Sequence, residues 1–237
     1  VFLPLIGFLI ILLFDLNSSM AIGVMILSLC PGGPTSNLIT QVARGNIGLS
    51  VTLTALASLI TVFTIPIILS ESITYFTGET DVVIELPVVQ TMLQILVITV
   101  IPVSIGMVIR KKNEDFALRM ENPMRTASTV LFIIIFLLVM IANKDLIVQA
   151  MMEVGLATLL LNISTMAFGY ITAKFFGIKG KSQVSITIES GIQNGTLAFV
   201  IATTILNNVE MGLPTGAYSI WMFITGGMLM WRLGVSK

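Results

Sequence analysis

The chain of 237 residues is 56% hydrophobic and 10% charged, with a mean hydropathy of +1.03, which excludes a soluble domain and fits a polytopic helical membrane protein. Its formal net charge is +0, so no long-range field argues for nucleic acid or an acidic partner. The absence of His and the single cysteine, Cys30, exclude a disulfide framework and remove most transition-metal and triad chemistry.

Val1 to Phe14 is an apolar run too short to cross a bilayer alone. It lacks the basic flank and small-residue cleavage site of a signal peptide, and further sequence upstream is expected. Asp15 to Ser19 forms a polar turn, and Met20 to Cys30 begins a second helix. Pro31-Gly32-Gly33-Pro34 must stop that helix, because two backbone donors are missing and two joints are flexible. Thr35 or Ser36 then caps a half-helix that runs to Ala43, so this span is broken.

Ile47 to Leu69 is a third span, with Ser50, Thr52, Thr54, Ser58 and Thr61 on a more polar face. These hydroxyls either bond back to their own helix or reach across to other groups; Ser50 and Thr54, spaced i, i+4, share a face. An acidic loop with Glu71, Glu79, Asp81 and Glu85 leads to a span over Pro87 to Ile109 that Pro102 can bend. Arg110 to Thr126 reads as a polar connector, a solvated or membrane-surface helix, followed by a span over Ser128 to Ala142, a turn at Asn143-Lys144-Asp145 and a span over Met152 to Phe176. After a basic loop, Gly177 to Ser182, comes the apolar run Val184 to Leu206. Asn207 to Pro214 is a turn, and Thr215 to Leu233 a last span with Trp231 at interfacial depth.

Alternate loops collect every basic residue except Lys144, and the bias of Lys and Arg toward the cytoplasm puts those loops and the C-terminus there. The acidic loop then lies outside. The expected site is a cytoplasmic (inner) membrane, with no oligomer required.

The stretch Glu189-Ser190-Gly191-Ile192-Gln193-Asn194-Gly195 stands midway along the apolar run. An acid at that depth costs on the order of 2.5–3.5 kcal/mol, and such residues mark ion paths, proton relays or ligand sites. Two glycines and two amides beside it predict a second broken helix. Two interrupted helices at matching places in two halves point to a substrate site at the midplane of an inverted-repeat secondary transporter. The expected fold is therefore an all-α membrane protein with about eight spans present of an expected ten. Residues 1–70 hold the end of the first repeat, namely a partial third helix, a broken fourth helix at 20–43 and a fifth helix. Residues 71–237 hold the second repeat, five spans with a broken helix at 182–206. Freed carbonyls, hydroxyls, amides and one carboxylate suit a hard cation such as sodium, while helix donor ends favour an anion.

Cys30-Pro31-Gly32-Gly33-Pro34-Thr35-Ser36-Asn37 with Ala43-Arg44-Gly45-Asn46, together with Glu189 to Gly195 and Leu197-Ala198, resemble the two signature segments of the bile acid:sodium symporter family. The resemblance follows the span order of the whole chain, starting in the family's third helix. It implies two crossed discontinuous helices in a core domain (1–70 without the fifth helix, plus 127–206), a panel domain (part of 47–70, 86–110 and 213–234) and two sodium ions. One sodium would be held by Ser36, Asn37, Ser50, Thr54 and Glu189, and the other by Glu189, Gln193 and backbone oxygens near Ser190 and Ile192. A family glutamine that also serves the second ion would fall upstream of Val1. The substrate, a small organic anion, would sit near Gly33, Pro34, Asn37, Asn194 and Gly195. Pro34 stands where relatives have a small polar residue, and Trp221-Met222-Phe223 replaces a polar pair seen in some bacterial members, so bile acid is not carried over as the substrate.

Sodium-coupled symport of a carboxylate by alternating access is the expected function. Proton coupling or cation/proton exchange through Glu189 is the alternative, and a non-transporting receptor stays open. An enzyme is disfavoured, because the spans hold no His, no paired carboxylates and no activated nucleophile. Cys30 reads as a small apolar neighbour of the break, and the methionines as core filling.

Overall fold

A computed structural model describes residues 2–78, 88–142 and 144–234. The order is α1 (Phe2–Phe14), α2 (Ser18–Leu29), α3 (Pro34–Val42), α4 (Ile47–Thr77), α5 (Val88–Lys112), α6 (Glu114–Ala142), α7 (Lys144–Glu153), α8 (Gly155–Phe175), α9 (Lys181–Gly191), α10 (Gly195–Val200, prolonged by a π turn through Ile205) and α11 (Leu213–Gly234). The described residues form no strand, and α4, α5 and α8 are each long and apolar enough to cross a bilayer. The protein is thus an all-α membrane protein.

Local chemistry sets most boundaries. Asn17 caps α2 by accepting from Met20 N at 2.9 Å, and Asn46 caps α4 by accepting from Leu49 N at 3.1 Å. Gly78, at φ 59°, ends α4.

Three expectations are corrected. The third span does not stop at Leu69; α4 continues through Glu71 to Thr77, since nothing before Gly78 breaks it. The connector Arg110–Thr126 is not a separate segment: α5 runs to Lys112, Asn113 accepts from Phe116 N at 3.0 Å, and α6 continues unbroken to Ala142 with Glu114 and Asp115 in its first turn, where the helix dipole favours acids. The span Met152–Phe176 is instead divided at Val154 into α7 and α8. Glu79, Asp81, Glu85 and Asn143 lie outside the described residues.

The core forms around α2, which is buried from Met20 to Leu29 between α1, α4 and α11. Helix backbones approach closely at small residues, the packing device of membrane helices. A Cβ on Gly7 would lie 2.8 Å from Ser28 Cβ, and one on Gly169 would lie 2.7 Å from Ser190 Cβ. Helix α8 packs along α9, and α11 packs on α8, α2, α7 and α3, beside the broken helices and not apart from them. By contrast, α5 packs chiefly on α4 and α6.

Candidate cation and substrate site at the crossing

Both expected breaks are present. Helix α2 ends at Cys30 because Pro31 offers no donor, and the chain is extended through Gly33 (φ −119°, ψ −179°) before Pro34 opens α3. Helix α9 ends at Gly191, Ile192 is extended, and Asn194 opens α10 by accepting from Leu197 N at 3.1 Å. The two extended pieces meet as an isolated antiparallel bridge between Gly32 and Gln193, with Asn194 N donating to Pro31 O at 2.8 Å. Four half-helices therefore converge on one point. A Cβ on Gly33 would stand 3.3 Å from Asn194 Cα, and one on Gly32 would overlap the carboxylate oxygen Oε1 of Glu189. Glycine at 32 is thus required by space.

Glu189, on α9 and 8% exposed, is the centre of this point. Its Oε2 accepts from Ser36 Oγ of α3 at 2.7 Å and from Ser50 Oγ of α4 at 3.1 Å, and its Oε1 accepts from Thr54 Oγ1 of α4. Among the described residues, no Lys or Arg pairs with it. Each hydroxyl also lies beside a second acceptor: Ser36 Oγ is 2.7 Å from Gly33 O, Ser50 Oγ 3.3 Å from Thr40 Oγ1, and Thr54 Oγ1 3.0 Å from Ser50 O. A hydroxyl has one proton, so the cluster holds more oxygen lone pairs than hydrogens to fill them. If the protons turn to Gly33 O, Thr40 Oγ1 and Ser50 O, the hydroxyl lone pairs and the carboxylate are left facing a cation. The cluster's donor set of one carboxylate and several neutral oxygens suits a hard monovalent ion.

Two further oxygens need a partner. Asn37, next to Ser36 on α3, has a buried Oδ1 with no hydrogen bond. Gln193, 2% exposed, donates through Nε2 to Ser190 O at 2.9 Å and leaves its buried Oε1 without a partner. Native structures rarely leave such atoms unsatisfied, and a water or an ion can supply what they lack. Ser190 O is therefore shared with the Gln193 amide, while Ile192 N is used by Ile188 O.

The expected substrate residues also gather at the crossing, with some groups already engaged. Asn194 Oδ1 caps α10, and Gly195 N donates to Gln193 O at 3.0 Å. Pro34 is exposed at the start of α3. Gly195 faces α11, where Ser219 Oγ would lie 3.2 Å from its Cβ.

Of the hydroxyls on α4, Thr52 and Thr61 bond back to Gly48 O at 2.8 Å and Ser58 O at 3.0 Å, whereas Ser50 and Thr54 also reach Glu189. Periodicity alone could not separate these outcomes. Several supporting contacts are set by the tertiary structure, including those of Arg44-Gly45-Asn46, which the sequence reading names only for its resemblance to a family signature. The Arg44-Gly45-Asn46 turn is a clamp: Asn46 N donates to Ser185 Oγ at 2.7 Å and to Lys181 O at 3.1 Å, tying the start of α4 to α9. A Cβ on Gly45 would fall 2.9 Å from Ser185 Oγ. Asn162 of α8 and Tyr218 of α11 both donate to Gly191 O, at 2.8 and 2.7 Å. The signal for Asn162 was a lone amide in the middle of an apolar span.

Comparison of the sequence with known proteins finds relatives. The Sodium Bile acid symporter family model matches residues 1–150. The chain is 29% identical over 240 residues to "Probable sodium/metabolite cotransporter BASS1, chloroplastic" of Arabidopsis thaliana, covering 99% of this chain and 57% of that protein. It is 26% identical over 239 residues to "Uncharacterized sodium-dependent transporter YocS" of Bacillus subtilis (strain 168), covering 99% of this chain and 71% of that protein. It is 25% identical over 201 residues to the ileal sodium/bile acid cotransporter of Homo sapiens, covering 84% of this chain and 56% of that protein. The chain thus spans little more than half the length of its plant and human relatives.

Proposed function

The chain belongs to the sodium bile acid symporter family, one of transporters and not enzymes, and we propose that it acts in sodium-coupled symport of a small organic anion across the cytoplasmic membrane. The observation that carries the reading is the proton-poor oxygen cluster on Glu189 at the crossing, with the unbonded oxygens of Asn37 and Gln193. The names of the relatives, sodium/metabolite and sodium/bile acid cotransporters, support the same coupling ion.

In this reading two sodium ions are co-substrates. The first is held by Ser36, Asn37, Ser50, Thr54 and Glu189; the second by Glu189, Gln193 and backbone oxygens near Ser190 and Ile192. The carboxylate of the substrate lies near Gly33, Pro34, Asn37, Asn194 and Gly195, with the Asn194 amide as donor. Coupling follows from charge. A substrate carboxylate entering beside an uncompensated Glu189 meets a repulsion of roughly 2 kcal/mol at about 8 Å and an effective dielectric of 20, which bound sodium removes. Two sodium ions with a monovalent anion move one net positive charge, so transport is electrogenic. Alternating access is the proposed motion. The panel, part of 47–70 with 86–110 and 213–234, moves against the core of 1–70 without the fifth helix plus 127–206; α5, which packs chiefly on α4 and α6, lies in that panel. The basic loops and the C-terminus face the cytoplasm.

The test is uptake by the full-length protein in proteoliposomes, after a thermal-shift screen of organic acids with and without sodium has identified a substrate. Uptake that needs an inward sodium gradient supports the reading. Equal uptake in choline and sodium buffers refutes it, and uptake driven by pH alone selects proton coupling through Glu189.

A further inference from the structure

A buried polar network stands behind the second break. In a continuous helix the Gly191 carbonyl would accept from Gly195 N, four residues on. Here Gly195 N donates instead to Gln193 O at 3.0 Å. The Gly191 oxygen takes Asn162 Nδ2 at 2.8 Å and Tyr218 OH at 2.7 Å, one donor for each of its lone pairs. Both side chains are closed off from the surroundings, Asn162 at 0% and Tyr218 at 1% exposure. Thr225 Oγ1 lies 2.8 Å from Asn162 Oδ1 and 2.9 Å from Trp221 O, and its proton, when given to Asn162, fixes which end of the amide faces Gly191. These contacts come from two helices, α8 and α11, that supply none of the groups around Glu189.

We propose that Asn162 and Tyr218 are positioning residues for a cation held at Gln193: by occupying Gly191 O together, they keep Gly195 N from closing the helix and so hold Gln193 at the crossing. The inference rests on the two-ion reading above. The competition is for a single acceptor. When the side-chain pair holds the oxygen, Ile192 and Gln193 stay extended, paired with Gly32, and the Gln193 Oε1 is presented without a partner. When the pair is weakened, Gly195 N can take the carbonyl, the break winds toward helix, and Gln193 is withdrawn. The Ser36–Ser50–Thr54 cluster lies on α3 and α4 and does not depend on this carbonyl.

The test is equilibrium binding of radioactive sodium to the purified full-length transporter, in choline chloride at constant ionic strength. Tyr218→Phe removes one oxygen and leaves Asn162 to satisfy the carbonyl, so folding is preserved. It is expected to lower the affinity for one of two ions at least tenfold while the other ion binds as in the wild type; general damage would instead lower the bound fraction of both together. Tyr218→Phe and Asn162→Ala proteins that bind two ions with wild-type affinity overturn the inference. Should neither variant fold, Thr225 decides: Thr225→Ser is expected to keep both ions and Thr225→Val to lose one, and equal binding by the two overturns the proposal. A wild-type protein that binds fewer than two ions overturns the two-ion reading and this inference with it.

Discussion

Replacing Glu189 by Gln tests the centre of the site while keeping its shape. The carboxylate sits in space that only the missing side chain of Gly32 leaves open, and an isosteric amide fits the same space. What changes is charge. At an ion–oxygen separation of about 3 Å and an effective dielectric of 20, the attraction removed is roughly 5 kcal/mol, and the amide oxygen restores a fraction of it. With about 1.4 kcal/mol for each factor of ten, sodium affinity should fall on the order of a thousandfold. Without sodium the sign reverses. The amide avoids a membrane-insertion cost of roughly 3 kcal/mol, and its NH2 can donate to Ser36 or Ser50 while their protons turn to Gly33 O and Thr40 Oγ1. The Glu189→Gln protein should therefore melt at least as high as the wild type in choline chloride. It should lose the additional stabilisation that sodium chloride gives the wild type, and lose sodium-driven uptake. Thermal unfolding in matched sodium and choline buffers measures both. A variant that keeps a sodium-dependent shift within threefold of the wild-type affinity would refute the assignment of Glu189 as the anionic ligand.

Other expectations follow from single contacts. Ser36→Ala removes one oxygen from the cluster and should raise the sodium concentration for half-maximal uptake about tenfold, corresponding to a hydrogen bond to a charged group worth about 1.5 kcal/mol, with the rate at saturating sodium retained. Thr52→Ala, whose hydroxyl serves only Gly48 O, should leave that titration unchanged. Gly32→Ala places a methyl group on the Glu189 carboxylate, so melting temperature and sodium affinity should fall together, by about 1–3 kcal/mol of overpacking in stability. For orientation, Lys112→Cys should react with a membrane-impermeant maleimide only from the cytoplasmic side and Glu71→Cys only from the other. Cys30 is buried and adds no background to labelled-protein gels.

Much of this was readable in order along the chain. Runs of apolar residues gave most of the helices, Pro31 to Pro34 gave the first break, and one acid among glycines and amides gave the second, because helix termination and the cost of burying charge are local properties. The alternation of Lys and Arg between loops predicts an orientation, which the maleimide labelling tests. Other features were not local. Ser50 and Thr54 share a face, but so do hydroxyls that bond to their own helix; only the packing of α9 against α4 selects the pair that reaches Glu189. The sequence places α11 in a panel but does not say which helices it touches; its packing on α2, α3 and α8 is seen only in the tertiary structure, since an apolar helix carries no label for its neighbour.

By itself, then, the amino-acid order determined that the chain is apolar and helical, where two of its helices must break, and that an acid stands beside the second break. The tertiary structure decided which oxygens surround that acid, why residue 32 must lack a side chain, and that Asn162 and Tyr218 take the carbonyl freed at Gly191. The physical reason is that period and propensity fix the direction of a side chain relative to its own helix. The partner of a buried polar group is fixed only when a second helix, distant in sequence, is packed against it.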